Sequence, residues 1–307
     1  MTRNSNRPLV AGIEAGGTKF ACAVGCPPDD IRAETRFPTT TPEETLPRAI
    51  AFFRETVANH GPIAALGIAS FGPVDRRPDS PGWGRITSTP KPGWQNTDVT
   101  GPLAGALGCP AAFETDVTGA AIGEGLYGAG RGLGDFVYVT VGTGIGGGVV
   151  AGGRPVNGLI HPELGHMRPV RRLEGDDFAG ICPYHGDCLE GLASGPAIKA
   201  RWGRPAEELP PEHPAWGFEA EYLAQICATL TFLLSPERII LGGGVMAQTH
   251  LFERIRATTT ELIGGYLDHA RLLGGMEDYV VPPALGGRAG IVGALAMAEA
   301  LAGSSSS

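Results

Sequence analysis

The densest chemistry in this sequence lies in residues 161–190, HPELGHMRPVRRLEGDDFAGICPYHGDCLE, where His161, His166 and His185 stand with Cys182, Cys188 and several carboxylates. Cys182, His185 and Cys188 form a Cys-x2-His-x2-Cys knuckle. Two thiolates and an imidazole within one tight turn suit a small tetrahedral cation with metal–sulfur distances near ~2.3 Å, which points to zinc. The fourth ligand must come from outside the knuckle, and both His161 and His166 are available.

Two glycine turns offer a different chemistry. Residues 9–14 (LVAGIE) and 20–25 (FACAVG) read as short strands joined by Ala15-Gly16-Gly17-Thr18-Lys19, a turn in which glycine lets backbone amides approach a ligand closely. Residues 136–151 repeat the plan, with FVYVTV leading into Gly142-Thr143-Gly144-Ile145-Gly146-Gly147 and then GVVA. Two such hairpins predict two related lobes facing one another, each lending N–H and hydroxyl donors to a polyphosphate.

Two better-known motifs nearly match and are rejected. Gly142, Gly144 and Gly147 satisfy G-x-G-x-x-G, but a dinucleotide fingerprint opens a helix, and here a strand pattern follows. Residues 12–19 resemble a P-loop, but the order Gly-Thr-Lys is wrong for one and no helix follows.

A third candidate is Asp116, in Glu114-Thr115-Asp116-Val117, where a strand over 111–114 runs into an Ala-rich helix. Its carboxylate is either the helix cap or a base held at a strand end; one oxygen can cap while the other faces outward.

These residues need a scaffold, and the composition permits a large one. With 307 residues and 42% hydrophobic content, two lobes are expected, because single cores stop growing near ~250 to 300 residues. The 48 glycines show no collagen period and mark tight turns and close backbone approaches. A net charge of −8 and a pI near 5.4 argue against nucleic acid or an anionic membrane as partner. No apolar run approaches the ~18 to 20 residues of a membrane span, and residues 1–8 are too short and polar for a signal peptide, so a cytoplasmic location is expected. The scattered Cys22, Cys26, Cys109 and Cys227 fit a reduced compartment better than a disulfide framework. The run at 304–307 reads as a disordered end.

Between the motifs, Thr41-Pro42-Glu43-Glu44 reads as a capping box opening a helix to about His60, with Leu46, Ile50, Phe53 and Val57 on one face. A strand is expected over 63–70, then a long functional loop to about Val99 that contains Thr89-Pro90-Lys91-Pro92-Gly93-Trp94. Helices are expected from Ser194, over 219–234, 251–267 and 290–301, with strands over 238–241 and 279–281; Gly242-Gly243-Gly244-Val245-Met246 is a third glycine loop after a strand.

Residues 11–19, residues 114–124, the GTGIGGG hairpin, HPELGH through CPYHGDC and GGGVM together resemble, in order and spacing, the ROK family of sugar kinases and repressors, across essentially the whole chain. The Glu-x-Gly-Gly-Thr-Lys, Thr-Pro-Lys-Pro-Gly-Trp and Cys-Pro-x-His-Gly-Asp-Cys-Leu-Glu-Gly variants are most similar to its bacterial ATP-dependent fructokinases. The resemblance implies an actin-like, hexokinase-type α/β fold of ribonuclease-H topology with a cleft between two lobes. Residues 8–113 would form the smaller lobe, joined by the C-terminal helix at about 289–303, and residues 114–288 the larger one, including the zinc-binding segment 161–190.

Carried over by residue, the resemblance makes Asp116 the catalytic base for the sugar 6-hydroxyl. It implies sugar contacts from Thr115, Glu163, His166, Glu190, Gly72 and Lys91, and ATP contacts from Gly16, Gly17, Thr18, Lys19, Thr143, Gly144, Gly242, Gly243, Gly244, Val245 and Met246. His166 becomes the fourth zinc ligand beside Cys182, His185 and Cys188, leaving His161 as an ordinary loop residue. Glu14 stands where Asp is commoner and is a candidate for Mg²⁺; Thr115 stands where many glucose-type members have Asn, favouring another sugar. The implied function is ATP-dependent phosphorylation of a hexose, fructose above mannose, glucose or N-acylated hexosamines, with structural Zn²⁺, Mg²⁺ with ATP, and a homodimer. A sugar-sensing regulator is the rival from another class, and it would carry a winged-helix domain where only eight residues precede Leu9.

Overall fold

The structure is a computed structural model that describes residues 7–304. Of the expected disordered end, 305–307 lie outside the described residues, and Ser304 is the last residue of the closing helix. The chain divides into two compact units.

The first unit takes the chain up to Gly128, Asn157–His161 and the chain from Arg288 onward. Its elements are β1 (Val10–Ala15), β2 (Lys19–Cys26), β3 (Asp30–Pro38), α1 (Pro42–His60), β4 (Leu66–Ser70), β5 (Val74–Asp75), β6 (Arg85–Ile86), α2 (Thr100–Leu107), β7 (Ala111–Thr115) and α3 (Asp116–Tyr127). The sheet order is β3-β2-β1-β4-β7; β1, β2 and β3 are antiparallel, while β4 and β7 join in parallel. Burial follows position. The central strands β1 and β4 are apolar and covered, whereas the edge strand β3 alternates covered Ile, Ala, Thr and Phe with exposed charge, which discourages pairing with another edge.

The expected boundary at 113/114 is corrected by two contacts. β7 hydrogen-bonds β4 in parallel register, and α3 packs on the closing helix (Ala289–Ser304), so both belong to the first unit. Glycines make that packing close: a Cβ on Gly123 would strike the Ala289 carbonyl, one on Gly293 the Gly119 carbonyl, and one on Gly67 the Ala294 carbonyl. The long loop is ordered. β5 and β6 pair within it, and Trp94 is fully buried, donating its indole N–H to the Thr40 carbonyl at 2.7 Å. The capping box does not form, because Thr41 makes no side-chain bond; instead the Thr45 hydroxyl accepts from the Thr40 amide at 3.1 Å.

The second unit comprises Ala129–Val156 and Pro162–Gly287. It contains β8 (Phe136–Val141), β9 (Ile145–Ala151), β10 (Arg154–Pro155), α4 (Leu189–Ala193), α5 (Gly195–Trp202), α6 (Ala215–Leu234), β11 (Arg238–Gly242), α7 (Leu251–Ile263), α8 (Ala270–Leu273), α9 (Met276–Tyr279) and β12 (Val280–Val281). The sheet order β10-β9-β8-β11-β12 has the same pattern as the first unit, an antiparallel hairpin flanked by parallel strands. A strand, not a helix, follows each glycine turn, which removes the dinucleotide and P-loop motifs. The fold is of the actin-like, ribonuclease-H-type α/β class. Val137, Val139, Trp216, Leu223, Ile239 and Leu241 lie in the second core. α7 stops four residues before the expected end because Gly264 takes a left-handed φ of 62° and its amide bonds back to Thr260. No helix among the described residues is long and apolar enough to cross a membrane.

Candidate active site and metal centre

In the first unit, β7 delivers Asp116 as the first residue of α3, and its Oδ1 accepts the Val117 N–H at 2.9 Å. The cap is Thr115. It is the residue with extended backbone, so its hydroxyl turns back to accept the Thr118 N–H at 3.1 Å and donates to the Thr118 hydroxyl at 2.7 Å. Asp116 is therefore released from capping, while the Thr115 hydroxyl expected to meet a sugar is engaged. Burial pushes the Asp116 carboxyl up to about 6, against the pull of the Val117 amide. Such a group is ionised at neutral pH and can still accept a proton.

Glu14, at the end of β1, is its electrostatic neighbour. Burial and then the Asp116 charge raise the Glu14 carboxyl, while Lys19, Arg36 and the Ile291 amide lower it. A Cβ on Gly290 would lie 2.7 Å from the Glu14 Cδ, so the carboxylate sits on the first turn of the closing helix, where the helix dipole favours an anion. Glu14 and Asp116 are hard oxygen donors of the kind Mg²⁺ takes.

The first glycine turn is braced from the residue that follows β3. Gly16 N–H donates to the Lys19 carbonyl at 2.9 Å, the Thr39 hydroxyl donates to the Gly16 carbonyl at 2.7 Å, and Thr39 N–H donates to the Thr18 carbonyl at 2.9 Å. A Cβ on Gly16 would lie 2.8 Å from the Lys19 carbonyl oxygen, so this position needs glycine, while Gly17 faces open space. Thr18 and Lys19 are exposed. Lys91 is half-buried in the loop that Trp94 anchors, and Gly72 faces the His161 ring.

In the second unit the structure brings four predicted groups together. The β8–β9 turn closes with Gly142 N–H on the Gly144 carbonyl at 2.9 Å. Glu190 Oε2 accepts the Ile145 N–H at 2.9 Å, and a Cβ on Gly144 would lie 2.6 Å from that oxygen. The turn at Leu164–His166 packs against the same hairpin: a Cβ on Gly165 would overlap the Ile145 carbonyl, and one on Gly147 the Leu164 side chain. A Cβ on Gly142 would lie 3.7 Å from the Gly244 amide, which places the third glycine loop beside the hairpin turn. Gly243 (φ 94°) and Gly244 are exposed, whereas the Val245 and Met246 side chains are buried in the core, so a ligand there meets backbone. Glu163 is exposed and His166 half-buried.

His166, Cys182, His185 and Cys188 converge, with donor atoms all within 4.8 Å of one another. His166 Nδ1 lies 3.5 Å from Cys188 Sγ and 3.9 Å from Cys182 Sγ, and His185 Nδ1 lies 3.7 Å from Cys182 Sγ. A tetrahedral zinc ion with the usual metal–sulfur and metal–nitrogen lengths has a sulfur–nitrogen edge of roughly 3.6 Å, so the donors fit that ion. The knuckle is tied by reciprocal backbone bonds between Cys182 and Gly186 at 3.1 and 2.9 Å, and Leu189 N–H donates to the Met167 carbonyl at 2.8 Å. His161 stands apart: its Nε2 accepts the Val74 N–H at 3.1 Å within the first unit. Of the two histidines available as fourth ligand, His166 is the one that lies among the other three donors.

A match to the family model described as ROK family spans residues 10–300. The chain belongs to the ROK family. A fructokinase from Zymomonas mobilis is 46% identical to this ROK chain over 299 residues, covering 96% of it and 98% of that protein. A fructokinase from Pediococcus pentosaceus is 44% identical over 292 residues, covering 95% and 98%. Among solved structures, a ROK family glucokinase from Streptomyces griseus in complex with glucose and AMPPNP superposes with a TM-score of 0.75 at 26% identity, covering 95% of this chain and 99% of that one.

Three features of the ROK site escape a reading of the sequence. Thr39 braces the first glycine turn from 23 residues away, Glu190 is bonded to the hairpin, and Arg76 joins Glu114 to residues 157–160. Glu190 is among the residues the resemblance names, but its bond to the hairpin is not, and neither Thr39 nor Arg76 is singled out by the sequence.

Proposed function

We propose that this ROK-family protein is an ATP-dependent hexose kinase that converts fructose to fructose 6-phosphate. Similarity to fructokinases over nearly the full length of both chains carries the choice of sugar. Asp116, a carboxyl pushed up to about 6 at a strand end and freed from capping, supports the reaction. The sugar 6-hydroxyl attacks the γ-phosphorus of ATP, the bond to the β–γ bridging oxygen breaks, and ADP leaves. Asp116 aligns the hydroxyl and takes its proton late, since phosphoryl transfer is mainly positioning and charge stabilisation. The amides of Gly16, Gly17 and Gly144, with the hydroxyls of Thr18 and Thr143 and the Lys19 ammonium, meet the phosphates, and the backbone of residues 242–246 takes the adenosine side. Glu163, His166, Glu190, Gly72 and Lys91 face the sugar, with Thr115 contributing through the cap.

Mg²⁺ bound with ATP neutralises phosphate charge, and Glu14 is the residue that would face it. Zinc is held by His166, Cys182, His185 and Cys188 as a structural ion that orients the turn carrying Glu163. The partner is a small molecule, as the net charge of −8 favours, and the protein works as a cytoplasmic homodimer. A coupled ADP-release assay over fructose, mannose, glucose and N-acylated hexosamines tests the reading. Fructose is expected to give the highest kcat/KM. Equal values on all sugars overturn the fructokinase assignment, and absence of sugar-dependent ADP release overturns the kinase.

A further inference from the structure

The segment Asn157–His161 interrupts the sequence of the second unit yet belongs to the first. What holds it there is Arg76, the residue after β5, which is only 7% exposed. Its Nη1 donates to both carboxylate oxygens of Glu114 at 2.6 and 2.7 Å, its Nη2 donates to the Asn157 side-chain oxygen, and its Nε donates to the Ile160 carbonyl at 3.1 Å. A second tie lies alongside, from Val74 N–H to His161 Nε2 at 3.1 Å. Three acceptors from two stretches of chain thus converge on one planar guanidinium, whose fork fixes their relative placement as an ammonium cannot.

Both stretches lead directly to proposed site residues, one to the base and one to a sugar contact. Glu114 lies on β7 two positions before Asp116. His161 is followed by Pro162, with its restricted φ, and then by Glu163. On its far side the same turn ends at His166, held among Cys182, Cys188 and His185. The metal ligands therefore define one end of residues 162–166, and the strap at 157–161 defines the other.

Resting on the hexose-kinase reading, we propose that Arg76 is a positioning residue for the acceptor sugar: through Glu114 it sets the strand end that presents Asp116, and through Asn157 and Ile160 it sets the strap that leads to Glu163. A buried ion pair is weak evidence of net stability, because desolvation offsets much of the attraction. What the pair provides is a fixed geometry, and geometry errors of about 1 Å at a reacting group can lower rates by as much as roughly 100-fold.

The experiment compares the wild-type protein, as purified with its metal, with Arg76→Lys and with the double variant Arg76→Met/Glu114→Gln, which leaves no buried charge unpaired. Hexose KM is expected to rise between about 10- and 100-fold in both variants and kcat to fall, while ATP KM stays within about twofold. Hydrogen exchange in peptides covering residues 157–166 is expected to quicken, with β1 peptides unchanged. An unchanged hexose KM in the folded double variant overturns the proposal, as does a parallel rise of hexose and ATP KM, which indicates general distortion. If wild-type protein releases no ADP with any hexose, the kinase reading has failed; the exchange measurement still decides the tether, and unchanged exchange at 157–166 sinks it.

Discussion

In the proposed reaction Asp116 meets two opposed demands. As a base it must be ionised, yet its burial disfavours the charged form and lifts the carboxyl to about 6. Activity is therefore expected to fall on the acid side, with the rising limb of kcat/KM for the sugar centred near pH 6, and Asp116→Asn is expected to lower kcat by at least about 100-fold with sugar binding nearly intact. Steady-state kinetics between pH 5 and 8.5 check both, and a variant retaining a tenth of the activity removes Asp116 from the base role. The same shift has a stability consequence of definite sign. A carboxyl whose folded pKa lies above its unfolded value of 3.8 favours folding when protonated, and that contribution is lost as pH rises from about 4 through about 6. Above pH 6 the carboxylate is a net destabiliser of at most roughly 3 kcal/mol, reduced by its partial exposure. Asp116→Asn is expected to melt a few degrees higher than wild type at pH 8, with the difference shrinking toward pH 4.5. The strand-end position of Asp116 was legible in the sequence, but the cap was not, because Thr115 and Asp116 are both cap-forming types and only the backbone at the strand end decides between them.

At the scale of elements, the close approach of α3 to the closing helix depends on absent side chains. A Cβ on Gly293 would overlap the Gly119 carbonyl, and backbone cannot step aside as a side chain can. Gly293→Ala is expected to destabilise by about 2–3 kcal/mol, as overpacking does. Gly105→Ala in α2, exposed and with no neighbouring atom near the new methyl, is expected to stabilise by about 0.4–1 kcal/mol through the unfolded chain. Urea unfolding of the two variants checks the pair, and equal effects would show that helix propensity, not packing, governs both positions. Both glycine hairpins could be read locally, since a short, largely apolar run and a glycine turn are properties of neighbouring residues. The boundary near residue 113 could not. Whether β7 and α3 join the first unit depends on β4 and on a helix more than 160 residues downstream, and no local pattern records such a pairing. The strap at Asn157–His161 was hidden for the same reason, its anchor Arg76 being 81 residues from Asn157.

For the molecule as a whole, the decisive property is that each unit has its own core while all four proposed metal ligands lie in one of them. His166, Cys182, His185 and Cys188 span 23 residues of which few are in helix or strand, so the segment from Pro162 to Cys188 is ordered by side-chain contacts rather than by regular structure: these four groups, the Asp176 carboxylate held by Arg171, Arg201 and Tyr222, and Leu164, Met167 and Phe178 packed on the core. In small zinc-dependent sites the ion supplies on the order of 10 kcal/mol of folding energy; here a large hydrophobic core shares the task, so metal removal is expected to loosen the second unit without unfolding it outright. Chelation verified by elemental analysis is expected to speed hydrogen exchange from Pro162 through α4 and to lower the melting temperature, while β1, β2 and β4 keep their protection. The thiolates must be deprotonated to bind, so the loss is expected to occur at lower chelator concentration as pH falls from 8 to 6. Uniform loosening of both units would mean that the ion supports the whole chain, and an unchanged melting temperature after complete removal would mean that the four donors hold their places without it. The expected intermediate result, one unit softened and the other untouched, makes the ion a support for the turn that carries Glu163, with sugar KM rising before stability is lost.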